Sequence, residues 1–283
     1  MEQLHLRSIR KNNCTISYEY SVSQGLSKYF SETPFFIEYP MDVSDVPDSI
    51  AAIPFVSCVL PIIWLTNSAL ILSELDEDFY NCIPNVKKGY EEMFPESRFL
   101  GSIQVESVVK NTTAAGGNCA MLFSGGLDAT QTMVSHLEEC PHLISIWGSD
   151  IRYDNQDGWN AVYSHIADTA QRYCLPSAVV RSSFRAFDKE GLLDHDFSTQ
   201  LRDGWWHGVK HGMGLLGHAA PYAFLKGLSS VYIASSNCPL DGQVRCASHP
   251  SIDNHVRFCG CQIVHDGYQF SRQDTENILH GKQ

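Results

Sequence analysis

The run Met121-Leu122-Phe123-Ser124-Gly125-Gly126-Leu127-Asp128 sets an apolar stretch directly before two glycines and puts an aspartate where a helix would begin. Glycines there let backbone N–H groups approach a phosphate, a helix N-terminus adds partial positive charge, and the Ser124 hydroxyl can donate to a phosphate oxygen. Asp128 would repel phosphate, so its fitting role is to hold Mg²⁺ or to cap the helix and fix the loop. No glycine-lysine-serine/threonine triplet follows and the dinucleotide spacing of three glycines is absent, which sets aside a Walker A loop and a Rossmann fingerprint. The competing reading is an ordinary strand-to-helix turn with a capping aspartate. The patterns on either side of the loop favour phosphate.

Those flanking patterns belong to a regular alternation. Short apolar strands are expected at 120–123, 143–147, 178–181, 231–234 and 262–264, separated by helices over about 128–139, 159–173 and 208–226. The first helix would turn Met133 and Leu137 inward, the second Val162, Tyr163, Ile166 and Ala170; the third would be kinked or restarted at Pro221. The alternation predicts an α/β fold with a doubly wound, parallel, five-stranded sheet covered on both faces. The upstream chain reads differently. Residues 4–10 and 15–20 suggest a hairpin turning at 11–13, further strands are expected at 34–39 and 101–109, and a helix from Leu75 carries Phe79, Ile83, Val86, Tyr90 and Met93 with an interruption at Pro84. Residues 111–117 read as a linker. The expected organisation is therefore a smaller N-terminal α+β domain, 1–117, and an α/β domain, 118–283.

With 43% apolar and 18% charged residues in 283, the chain has ample material for a core, which argues against disorder. A formal charge of −12 opposes phosphate backbones and anionic lipid, which argues against non-specific nucleic-acid binding. Ten scattered cysteines with no secretory signal point to reduced thiols and a cytoplasmic location. Residues 49–73 carry no charge and are long enough to cross a bilayer, but Pro54, Pro61 and the polar run Thr66, Asn67, Ser68 suit a packed core better, so no membrane is expected.

Ser124-Gly125-Gly126-Leu127-Asp128 resembles the pyrophosphate loop of the PP-loop ATP pyrophosphatases. With Ser235-Ser236-Asn237, Ser248-His249-Pro250, His265-Asp266-Gly267 and Ser271-Arg272 downstream, the sequence is most similar to the 7-cyano-7-deazaguanine synthase-like branch, over about residues 118–281. The resemblance implies an adenine nucleotide alpha hydrolase-like domain and an ATP-dependent ligase. A substrate carboxylate would attack the α-phosphate, pyrophosphate would leave, and an amine or ammonia would capture the acyl-adenylate to give an amide or nitrile-type product. It implies ATP and Mg²⁺ as cofactors, with Ser124, Gly125, Gly126, Leu127 and Asp128 at the pyrophosphate and Asp128 at the metal. Trp147 and Gly148 are nominated for adenine and Ser235 and Ser236 for nucleotide or substrate, because ligands in such sheets sit beyond the strand ends where strand order reverses. Arg272 is the candidate for neutralising the leaving pyrophosphate. His211, His249, Asp253 and Asp266 are candidate substrate contacts. The implied substrate is a small purine-like carboxylate, or a protein or nucleic acid as in relatives associated with bacterial antiviral defence; a homodimer is left open.

The chain departs from the family at three places. Ala129 stands where a serine or threonine is usual, with Thr130 as a partial substitute; Arg272-Gln273-Asp274-Thr275 lacks a second cation; and the chain stops at Gln283, before a cysteine-rich zinc segment, which suggests a shortened member or an incomplete sequence. Zinc is not expected: His207 and His211 have metal-pair spacing without an obvious third ligand, and Cys238, Cys246, Cys259 and Cys261 lack Cys-x-x-Cys spacing and read as buried thiols. Trp205 and Trp206 read as core anchors, and Asp253 and Asp266 as exposed loop carboxylates by default. Two alternatives stand beside the ligase: a tRNA-modifying PP-loop enzyme, disfavoured by the net charge, and a catalytically degenerate nucleotide-binding regulatory module.

Overall fold

The computed structural model describes residues 1–112, 116–242 and 244–281; part of the expected linker, 113–115, lies outside them. Eleven strands, β1 (Gln3–Asn12), β2 (Thr15–Val22), β3 (Phe36–Glu38), β4 (Ala69–Asp76), β5 (Ser102–Val109), β6 (Asn118–Leu122), β7 (His142–Trp147), β8 (Ser177–Ser182), β9 (Leu228–Ala234), β10 (Arg257–Phe258) and β11 (Cys261–Asp266), form one α/β sheet, most of it parallel. Its order is β10-β11-β9-β6-β7-β8-β3-β2-β1-β4-β5.

The five strands expected from the alternation are β6, β7, β8, β9 and β11, and they lie side by side and parallel. They are not a sheet of their own, which corrects the five-stranded expectation. β3 pairs antiparallel with β8 through Ile37 opposite Ser182 and Glu38 opposite Arg181, and through β3 the sheet continues into β2, β1, β4 and β5. In a five-stranded sheet β8 would be an open edge with unpaired backbone groups; β3 covers that edge. The hairpin β1–β2 turns around Asn13, whose φ of 48° is the left-handed geometry that asparagine tolerates.

Among the described residues seven α-helices are longer than four residues: α1 (Ile53–Leu65), α2 (Glu77–Met93), α3 (Leu127–Ser135), α4 (Gln156–Arg172), α5 (Glu190–Leu201), α6 (His211–Lys226) and α7 (Arg272–Gly281). Alternation along β6 shows how the strand serves both faces. Ala120 and Leu122 join the larger apolar cluster, which includes α1 and α6, while Met121 and Phe123 join a second cluster with Met133 of α3 and Trp159, Ile166 and Ala170 of α4. The larger cluster runs from Leu4 to Ile263 and so joins the two sequence halves. Rings of Tyr18, Phe35, Phe55 and Phe187 meet inside it, with Phe35 and Phe187 centroids 4.9 Å apart.

The charge-free segment 49–73 resolves into α1 and β4. At 13 residues α1 is about 20 Å long, short of the ~30 Å hydrocarbon core of a bilayer, and its residues are buried against α6 and β4. Among the described residues no helix is long and apolar enough to cross a membrane.

Several local expectations change. Pro84 lies inside an unbroken α2, whose buried Phe79, Ile83, Val86 and Tyr90 offset one missing backbone bond. Pro221 lies inside an unbroken α6, whose buried Leu216, Ala219, Ala220 and Ala223 outweigh one missing backbone bond. Tyr163 is exposed and stacks on Trp159 instead of entering the core. The first predicted helix ends at Ser135 and is followed by a separate 3₁₀ turn, Leu137–Glu139.

Candidate functional site

The glycine loop is held at both ends. The Phe123 N–H donates to the Ile144 carbonyl at 2.8 Å, and the Ser145 hydroxyl donates to the Phe123 carbonyl at 2.7 Å, so β7 fixes the point where β6 releases the chain. Gly125 then takes φ +78°, a left-handed geometry that favours glycine, and a Cβ on it would stand 3.0 Å from Cδ2 of the exposed His165. The Gly126 N–H donates to Ser124 Oγ at 3.3 Å, which closes the loop before α3 starts. The Thr130 hydroxyl donates to the Gly126 carbonyl at 2.8 Å, so its proton is used inside the helix instead of facing the loop.

A cavity of about 340 Å³ opens beside this loop. It lies at the carboxyl ends of β6, β7 and β9, where the chain runs from β6 to β7 on one side while β9 adds on the other. In parallel α/β sheets that reversal leaves a crevice between diverging connections. Ser124, Gly126 and Asp128 line it from the loop, Ser236 from the end of β9, and His211 and Leu215 from α6.

Burial pushes the Asp128 carboxyl above its ordinary pKa, and the Arg272 charge and the Ser236 hydroxyl oppose that only in part. A half-buried anion left short of positive charge fits a divalent cation. Among the described residues no group of three or more histidines, cysteines, aspartates or glutamates is placed to hold a metal. A cation at Asp128 would therefore take its remaining ligands from phosphate and water, as Mg²⁺ commonly does.

The structure brings Ser124, Gly126, Asp128, Ser236 and His211 around one cavity, with Gly125 in the loop, Leu127 at the first position of α3 and Arg272 near enough for its charge to act on Asp128. Other candidates lie elsewhere. Trp147 sits on the α4 face, stacked on Trp159 at 5.3 Å and 7°, with the Arg181 guanidinium 4.9 Å from its ring and Nε1 donating to the Arg152 carbonyl. It borders a separate open cleft with Tyr163 and Arg181. Gly148, at φ +128°, would put a Cβ 1.9 Å from the Ser182 carbonyl oxygen, so its conformation and the close approach of β8 require glycine. The Ser235 hydroxyl donates to the Asn237 carbonyl within its own turn.

The presumed loop carboxylates are likewise engaged. Asp253 is fully buried, accepting from Ser248 Oγ at 3.0 Å and pairing with His265 Nδ1 at 2.8 Å, so it is not the exposed residue expected from a polar loop. Asp266 accepts from Thr132 Oγ1 at 2.8 Å and anchors β11 to α3. His249 caps the short turn Pro250–Asp253, accepting from the Ser251 N–H, and its Nε2 lies 3.3 Å from the Tyr268 hydroxyl. Cys238, Cys246, Cys259 and Cys261 are buried and in no disulfide, and burial pushes Cys246 up to about 11 and Cys261 up to about 12.

Sequence reasoning missed Ser149, Asp150 and Ile151, which line the cavity from the loop after β7. Their position directly beyond a predicted parallel strand was the available signal. Arg185 holds that loop: it donates to the Ser149 carbonyl at 2.9 Å, pairs doubly with Glu190 and lies 4.1 Å from the Trp206 ring centroid. Comparison of the chain with family models, curated proteins and solved structures gives no match.

Proposed function

We propose that the protein binds ATP with Mg²⁺ and transfers the adenylyl group to a carboxylate, releasing pyrophosphate, and that an amine or ammonia then captures the activated acyl group. The observation that carries this reading is the juxtaposition of a glycine loop at a helix N-terminus, a half-buried aspartate and a cavity at the reversal of strand order. The block β11-β9-β6-β7-β8, with α3 and α4 on one face and α6 on the other, supports a doubly wound, adenine nucleotide alpha hydrolase-like arrangement. The resemblance of Ser124–Asp128 to the PP-loop supports the same assignment.

In this reading the backbone amide of Gly125 and the Ser124 hydroxyl bind the leaving pyrophosphate, and Asp128 would hold Mg²⁺, which supplies charge neutralisation at the phosphates when bound. Arg272 adds its charge at the same end of the site. In this reading the chain positions the reacting groups, and the substrate carboxylate is the nucleophile. ATP labelled at the α-phosphate, incubated with purine-like carboxylates, is expected to give labelled AMP and free pyrophosphate. Labelled ADP as the substrate-dependent product would exclude the proposal.

A second reading is nucleotide binding without turnover. It is favoured by Ala129, which brings no hydroxyl to the loop, and by the Thr130 proton being used within α3. Saturable ATP binding with no AMP from any carboxylate or amine would select it.

A further inference from the structure

The cavity has two sides. Toward α3 and α4 it is bounded by the glycine loop, Asp128 and Trp159; toward α6 it is bounded by His211 and Leu215 with Ile233 beneath. The loop commits the first side to the nucleotide. On the second side His211, with Asp150 close enough for its charge to act on it, follows a π-helical turn, Trp206–Lys210, a feature that concentrates at functional sites.

His211 Nδ1 is buried with no hydrogen-bond partner among the described residues. Two atoms beyond it share that condition, Asp253 Oδ1, which lies 2.7 Å from where a Cβ on the adjacent Gly212 would stand, and Nε2 of His265, whose Nδ1 pairs with the same carboxylate. The other oxygen of the same carboxylate is engaged by Ser248 and His265. An imidazole N–H and a carboxylate oxygen are complementary, and the Asp253 charge acts on the His211 ring. A carboxylate behind a histidine fixes its tautomer and leaves the other nitrogen free to take a proton.

We infer that His211 is the proton acceptor for the amine that captures the activated carboxylate, with Asp253 positioning its ring. The inference rests on the adenylation reading above. In the step, the amine nitrogen bonds to the acyl carbon, the acyl C–O bond to AMP breaks with its electron pair passing to the phosphate oxygen, and the N–H proton passes to His211. Burial holds the His211 pKa below its ordinary value and favours the neutral ring, the form that can accept a proton. Asp150 from the loop after β7 and Asp253 from the turn before β10 oppose that shift, while His207 from the π-helical turn and Arg185 from the segment after β8 reinforce it.

The test compares wild type with His211→Gln in two assays: carboxylate-dependent ATP–pyrophosphate exchange, and amide formation with ethylamine or ammonium. His211→Gln is expected to lose amide formation by about 100-fold or more relative to exchange, the range of a general base. Capture by hydroxylamine should suffer less, because its weakly basic nitrogen, once bonded to the acyl carbon, is acidic enough to give its proton to water. Asp253→Asn is expected to move the acidic limb of the amide rate to lower pH, because it removes an anion that raises the His211 pKa. Equal losses of exchange and amide formation in His211→Gln, or an unmoved limb in Asp253→Asn, would reduce His211 to a structural residue. Wild-type exchange without any amide would overturn the capture step alone. Absence of exchange and of AMP in wild type would overturn the adenylation reading, and this role with it.

Discussion

A carboxylate whose folded pKa lies above its unfolded value holds its proton more readily in the fold, so its ionisation costs stability once pH exceeds the unfolded value. Asp128 is such a group, raised by burial. Its folded-state penalty is absent below the unfolded pKa and fully present above the folded one. Asp128→Asn should therefore leave the melting temperature unchanged or slightly higher, while Mg²⁺-dependent ATP affinity measured by calorimetry falls by at least about tenfold, roughly 1.4 kcal/mol. Wild-type affinity in that variant would remove Asp128 from the metal site. The wild-type affinity should also decline on acidification at a pH above that expected for an ordinary exposed aspartate. The glycine loop was legible in the sequence because the positive φ at Gly125 restricts the residue type directly. The states of Thr130, Ser235 and Asp253 were not, because whether a hydroxyl or carboxylate is free depends on where a helix carbonyl, a turn or His265 comes to lie.

Elements were legible where one periodicity ran uninterrupted, as in β6, β7 and β9. β4 was hidden because it shares a charge-free run with α1, and only the short polar run Thr66-Asn67-Ser68 marks the turn between them. The β3–β8 pairing joins residues far apart in sequence, and three strand residues carry no register signal. Two element junctions give stability predictions. Lys210, fully buried in the π-helical turn, donates to Asp188 Oδ2 and to the Phe184 carbonyl, each at 2.7 Å, and burial pushes Asp188 up to about 6 despite that partner. Lys210→Met should destabilise the protein by about 3–5 kcal/mol in urea titration by stranding the Asp188 carboxylate, and adding Asp188→Leu should recover a large part of that loss. Gly148→Ala forces a Cβ into the Ser182 carbonyl at a disfavoured φ, and a loss of about 3 kcal/mol or more is expected in the same measurement. A loss below about 1 kcal/mol would show that the β7 and β8 ends can part cheaply.

At the scale of the molecule, one sheet and one large apolar cluster cross the position expected for a domain boundary. The Tyr39 hydroxyl donates to the His218 carbonyl at 3.0 Å, and the Tyr90 hydroxyl donates to the Val209 carbonyl at 2.7 Å, tying the first third to the α6 region through buried polar bonds. Calorimetry should show a single cooperative unfolding transition for the full chain, with calorimetric and van't Hoff enthalpies in agreement. Two resolved transitions would show that residues 1–112 and the remainder unfold as separate units.

The burial of α1 against α6 also bears on the order in which the protein is made. α1 is apolar around its whole circumference, yet α6 leaves the ribosome long after it. During translation the nascent chain carries an uncovered greasy cylinder until His211–Lys226 emerges, a state in which collapsed intermediates are prone to associate. Fragments that stop before α6 should accordingly accumulate as aggregates or as chaperone-bound species, and yield on expression should rise sharply once the chain is long enough to include it.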